Sequence, residues 1–236
     1  DGRTLWWRHE RMHRLALLDL DGALARLAAE RDEFERDVVG RAGAGVDRAA
    51  LCAEAFARAE QIEAGWEGAL REHLNKHGYQ ARSFDQPNTE APEFEEWLAF
   101  AEKQINESNK EHLSLIGHSM GGLLALKLAE KYKVKKLILV APVGSQPSEK
   151  YFTEMGKRLN REELDVFKKY QNRSLNSAAI KKNAAEIAFV FGLKDPWINE
   201  EIRNFYIKLF KDVAEIHVFD TYAHMSESEG VTDLPI

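Results

Sequence analysis

The chain has 236 residues, 44% of them apolar and 31% charged, with a formal net charge of −6. That length and apolar content allow one ordinary domain with its own core, or a small domain with an appendage, and exclude a disordered tail. The mild negative charge, with no long block of one sign, argues against a general binder of nucleic acid or of an anionic membrane. Cys52 is the only cysteine, which excludes an intrachain disulfide framework and a cysteine-based zinc cage. The longest apolar run, residues 137–143, is far short of a membrane span. The start Asp1-Gly2-Arg3-Thr4-Leu5 lacks the basic opening and apolar core of a secretory signal, so the expected compartment is the cytoplasm.

Residues 1–65 read as helices. Leu15, Leu18, Leu20, Leu24 and Leu27 recur at approximate helical spacing in an Ala/Glu/Arg-rich background. The glycines of 40–45 break this pattern, and Asp47 is a fitting N-cap for a second helix through Cys52 and Phe56. From Asp1 to Asn75 there are eleven arginines and no lysine, and from Lys76 onward seventeen lysines and five arginines. The two residues have similar helix propensity, so helix content does not separate them. This usage marks a join near residues 60–70 between segments of different origin. The expected organisation is a helical segment over 1–65 and a second unit over 66–236.

The second unit alternates. A helix through Leu70 and Leu74 ends at Gly78, and 79–85 reads as a short strand. A loop over 86–92 leads to an amphipathic helix over 94–109. Strand 112–116 precedes helix 120–132, and strand 136–140 follows. Residues 142–184 are polar and helical in character, forming a connection that can cap a pocket. Strand 187–191, helix 199–210 and strand 214–219 complete the unit. Strands alternating with helices imply a parallel sheet covered on both faces.

Three strand ends carry the chemistry. Gly117-His118-Ser119-Met120-Gly121 matches G-x-S-x-G between an apolar strand and a helix, as a nucleophile elbow requires. Gly117 and Gly121 leave space where side chains would collide, and the helix N-terminus aims the Met120 backbone N–H at a developing oxyanion. A serine hydroxyl needs a base. His224 follows the last strand and Asp195 the one before it, so the order Ser119, Asp195, His224 is that of the α/β-hydrolases. Asp220 is the rival acid. His118 and Trp197 are candidate pocket residues, and Tyr151, Phe152, Phe167 and Tyr170 are candidate apolar lining from the cap, with ordinary helix packing as the competing role.

From about Trp66 to Ile236 the chain resembles the compact serine hydrolases that include retinoblastoma-binding protein nine. The matching stretches are Lys76-His77-Gly78-Tyr79, Asp85-Gln86-Pro87-Asn88, Glu95-Glu96-Trp97, Gly117 to Gly122, Val140-Ala141-Pro142, Gly192 to Pro196 and Ala223 to Gly230, in one shared order. The resemblance implies an α/β-hydrolase fold, a triad on Ser119, Asp195 and His224, no metal or other cofactor, and hydrolysis of small carboxylic esters or amides. It does not imply binding to the retinoblastoma protein. Relatives begin with a core strand ending in a His-Gly-Trp loop that supplies one oxyanion donor. Here only Gly65-Trp66 corresponds, so the expected sheet lacks its first core strand, leaves an open edge beside the elbow strand and has an incomplete oxyanion hole.

The first segment holds two further motifs. His9-Glu10-Arg11-Met12-His13 is a literal H-E-x-x-H, but Arg8, Arg11 and Arg14 oppose a dication and no third ligand has a recognised spacing, so it reads as a solvated helix. Asp19-Leu20-Asp21-Gly22 looks like the start of a haloacid-dehalogenase-type phosphatase motif without its usual Thr, and reads the same way. Residues 5–14 together with 53–60 weakly resemble the C-terminal tail of secernin-like C69 peptidases, which implies a fused fragment and no activity. The resulting expectation is a serine hydrolase with a small acyl substrate. The alternative is a non-catalytic interaction or scaffold protein that retains a relic triad.

Overall fold

The computed structural model describes residues 15–18, 66–77, 80–84, 86–89, 92–106, 113–226 and 231. Six strands form one sheet: β1 (Leu15–Leu18), β2 (Arg82–Phe84), β3 (Ser114–His118), β4 (Val134–Val140), β5 (Ala184–Gly192) and β6 (Ala214–Phe219). Their spatial order is β2-β1-β3-β4-β5-β6. β3 to β6 run parallel, while β1 lies antiparallel to both of its neighbours. Seven helices are described: α1 (Trp66–Lys76), α2 (Phe94–Asn106), α3 (Met120–Ala129), α4 (Glu149–Met155), α5 (Arg161–Gln171), α6 (Ser177–Asn183) and α7 (Glu200–Phe210).

Alternation along the strands builds two cores. Leu115, Leu137, Leu139, Ile187, Phe189 and Phe191 face one side, where α2 to α7 cover them. Ile116, Ile138, Val140 and Val190 face the other, against Leu70 and Leu74 of α1 and against Met225. Successive strand side chains point to opposite faces, so a strand buried on both sides reads as a continuous apolar run. β3 and the end of β4 are buried throughout for this reason. α3 is buried nearly all round because it packs against both β3 and β4 and is overlaid by neighbouring helices.

The segment before residue 66 corrects an expectation. Leu15–Leu18 is a strand, not part of a helix. Leu15 pairs with Gly117 and Leu18 with Ser114, and on its other side Leu15 pairs with Phe84. The edge of β3 expected to be open is therefore paired, by a strand of opposite direction. Unpaired buried N–H and C=O groups are costly, whereas helix preference amounts to only a few tenths of a kcal/mol per residue. Sheet pairing therefore overrides the leucine spacing. The remaining helix, H-E-x-x-H and D-x-D-G readings on residues 1–65 lie outside the described residues.

Later elements follow the expected order with shifted ends. β6 coincides with its expected range, and β3 begins and ends two residues late. The 142–184 connection contains three short helices, each opened by a side-chain cap on Ser148, Asn160 or Asn176. α5 has a full capping box between Asn160 and Glu163, which satisfies two backbone donors at once.

Candidate active site

Ser119 follows directly on β3 and opens α3. Its backbone has φ 52° and ψ −115°, a region that L-residues rarely occupy. Such a conformation costs on the order of 1–3 kcal/mol and persists only where its surroundings hold it. They do here. Ser119 N–H donates to Val140 O at 2.9 Å, and Ser119 O accepts from Gly122, Leu123 and Val143 N–H. A Cβ on Gly117 would strike the Gly121 carbonyl, and one on Gly122 would strike Pro142. The elbow can form only because both positions are glycine.

Asp195 and His224 meet across the carboxyl ends of β5 and β6. His224 Nδ1–H donates to Asp195 Oδ2 at 2.7 Å. Asp195 Oδ1 accepts from Trp197 N–H at 2.7 Å and Ile198 N–H at 2.9 Å. Burial opposes charge on Asp195, but the His224 ring and the two backbone donors outweigh it and hold the carboxyl below its ordinary range. A carboxylate on Nδ1 fixes the tautomer, with the proton on Nδ1 and the lone pair on Nε2. Asp220, the rival acid, is exposed, whereas Asp195 is buried.

Neighbouring groups hold these loops in place. A Cβ on Gly192 would collide with the carbonyls of Tyr222 and Ala223, so glycine there lets the end of β5 approach the His224 loop. Lys194 N–H donates to Tyr222 O at 3.1 Å across the same junction. Tyr151 O–H on α4 donates to Trp197 O at 2.7 Å, tying the 142–184 connection to the Asp195 turn. Gln171 is fully buried on α5. Its Oε1 accepts from Gly144 and Ser145 N–H, which secures the loop after β4.

The candidate pocket residues are placed as follows. His118 is 3% exposed, and its Nε2 lies 2.8 Å from His224 O. The Trp197 ring packs edge-on to Phe167 with Arg158 over its face, and its backbone serves Asp195. Tyr151, Phe152, Phe167 and Tyr170 belong to the helix-side core, Tyr170 against Phe94 and Trp97. Packing, rather than an open lining, is what the structure gives these four. Met120 is buried at the first position of α3, where backbone N–H groups have no partner within the helix. The sequence reading missed the His118 link, the close approaches at Gly122 and Gly192 and the Gln171 clasp. Each is a contact between residues far apart in the chain.

The order of the sheet and the convergence of three loops at the carboxyl ends of β3, β5 and β6 define an α/β-hydrolase fold. A family model described as serine hydrolase matches residues 61–236, and the chain belongs to that family. It is 26% identical over 166 residues to the serine hydrolase RBBP9 of Rattus norvegicus, covering 68% of this chain and 81% of the relative. Among solved structures, the ydeN gene product of B. subtilis superposes with a TM-score of 0.57 at 19% identity, covering 73% of this chain and 86% of that one. At that identity the likeness concerns the fold alone. Among the described residues, no helix is long and apolar enough to cross a membrane.

Proposed function

We propose that this chain hydrolyses small carboxylic esters or amides through an acyl-enzyme on Ser119, with His224 as general base and acid and Asp195 as its orienting carboxylate. The observation that carries this reading is the 2.7 Å contact between His224 Nδ1 and Asp195 Oδ2, on loops beside a serine held at positive φ.

The steps follow from that arrangement. Ser119 Oγ adds to the substrate carbonyl carbon as His224 Nε2 takes its proton. The carbonyl oxygen gains the negative charge, and the Met120 N–H at the start of α3 donates to it. Collapse of the tetrahedral species breaks the bond to the alcohol or amine, which leaves with the proton from His224. Water then adds to the acyl carbon as His224 Nε2 takes its proton, and collapse of the second tetrahedral species breaks the bond to Ser119 Oγ, which recovers the proton from His224 as the carboxylic acid leaves. Asp195 keeps the imidazole in one tautomer and stabilises the imidazolium without taking its proton.

Labelling with a fluorophosphonate tests this reading, because the probe phosphonylates only an activated hydroxyl. The expected result is one label per chain on Ser119, lost in Ser119→Ala. Undiminished labelling of the alanine variant would show that Ser119 is not the nucleophile.

A further inference from the structure

We propose that His118 is a positioning residue: its ring fixes the backbone of His224 relative to Ser119 through the main-chain oxygen of His224. This rests on the reading of Ser119, Asp195 and His224 given above and adds a second point of attachment for the base.

An imidazole that is 3% exposed inside an apolar sheet is costly unless its polar atoms find partners. The partner of His118 Nε2 is the main-chain oxygen of His224, 2.8 Å away and 106 positions along the chain. A carbonyl oxygen can only accept, so His118 Nε2 carries the proton. Its Nδ1 then faces Glu67 Oε1, 3.8 Å away, in the first turn of α1. That separation is beyond hydrogen-bond distance.

Because His118 precedes Ser119, the bond joins the nucleophile's strand directly to the base's loop, across the two intervening strands β4 and β5. The base is thus held twice, its ring by Asp195 through Nδ1 and its main chain by His118 through the carbonyl. The two holds do different work. Asp195 sets the tautomer and tilt of the imidazole, but it lies on a third loop and cannot fix the distance from that imidazole to Ser119. The bond from His118 can. The carbonyl in question also belongs to the peptide that leads into Met225, which has φ 56°. A hydrogen bond to that carbonyl offsets the strain of the left-handed residue after it. The two rings are 4.9 Å apart with planes tilted by 47°, so they are not stacked face to face. The directional contact between the two residues is the hydrogen bond.

Two polar substitutions separate this role from simple space filling. The amide nitrogen of Gln reaches the place of Nε2, whereas that of Asn reaches only the place of Nδ1. With wild type, Ser119→Ala, His118→Gln and His118→Asn, two quantities are measured: the second-order rate of fluorophosphonate labelling per folded chain, and the far-downfield proton resonance of the His224–Asp195 hydrogen bond. Misplacement of a reacting group by about 1 Å can cost about 10²-fold. His118→Asn is therefore expected to label between about tenfold and about a hundredfold more slowly and to show a shifted or broadened resonance, while His118→Gln keeps the rate within about threefold and retains the resonance. Equal rates and resonances in the two variants, fast or slow, would overturn the proposal. Labelling that survives in Ser119→Ala would instead overturn the nucleophile. Even then the resonance, read without turnover, still decides whether His118 holds His224.

Discussion

The two oxygens of Asp195 do different things. Oδ2 accepts from His224, while Oδ1 accepts from the Trp197 and Ile198 N–H groups and so fixes the carboxylate plane. In Asp195→Asn an amide must replace one of those acceptors, so the imidazole loses its tautomer and imidazolium loses its counter-charge. Turnover is expected to fall by about 10³–10⁴, as for triad carboxylates generally, and by less than about threefold in Asp220→Asn, where the carboxylate is exposed; steady-state ester kinetics check both. The pH dependence has a definite sign. A carboxyl held below its ordinary range in the folded chain stabilises the fold fully above that range, and the contribution is lost as pH falls through the folded value. Denaturant unfolding at stepped acidic pH should therefore show a steeper loss of stability in wild type than in Asp195→Asn. The placement of Ser119, Asp195 and His224 just beyond β3, β5 and β6 was legible in the sequence because each lies in a short local string that follows an apolar strand. The bond from His118 to His224 was not, since a contact across 106 positions leaves no local pattern. The same holds for Gly192, whose need to be glycine arises from carbonyls some thirty residues later in the chain.

Among the elements, β1 is the most informative. A Leu-Ala-Leu-Leu run has no alternation that identifies a strand, and its leucines also fit a helix. What decides its state is the neighbouring edge of β3, which the sequence around it does not show. β1 is paired on both sides, so a proline inside it must disrupt a ladder. Leu17→Pro is expected to destabilise the fold by about 3 kcal/mol or more, read as a lower denaturant midpoint, and an unchanged midpoint would show that this strand contributes little. The β3 expectation ended too early because Gly117 and His118 look like turn residues, yet both remain in register with β4. By contrast β6 and the helices over 94–106 and 200–210 were legible, since amphipathic spacing and apolar runs act within one element. The capping box of α5 gives a smaller check. Asn160→Ala should cost about 1 kcal/mol in thermal unfolding, with catalytic rates per folded chain unchanged.

For the whole molecule, the family match begins at residue 61, while a strand of the same sheet comes from residues 15–18. The family match therefore covers the strands after residue 80 and the loops that bear Ser119, Asp195 and His224, and β1 lies outside it. α1 begins at Trp66, and the sequence Ala59-Glu60-Gln61-Ile62-Glu63-Ala64 before it contains no glycine. On our reading Met120 N–H is the principal oxyanion donor, and one missing donor lowers turnover by about 10²–10³. Formation and hydrolysis of the acyl-enzyme are both slowed, but an activated ester acylates faster than its acyl group is cleared, so the intermediate accumulates. The most direct measurement is peptide mapping by mass spectrometry of an acid-quenched mixture of the protein and an activated ester, sampled from the first turnover onward. The account predicts one acyl group per chain on the peptide that contains Ser119, decaying at the rate of steady-state turnover and missing in Ser119→Ala. Ester consumption with no adduct on that peptide, continuing unchanged in Ser119→Ala, would contradict it.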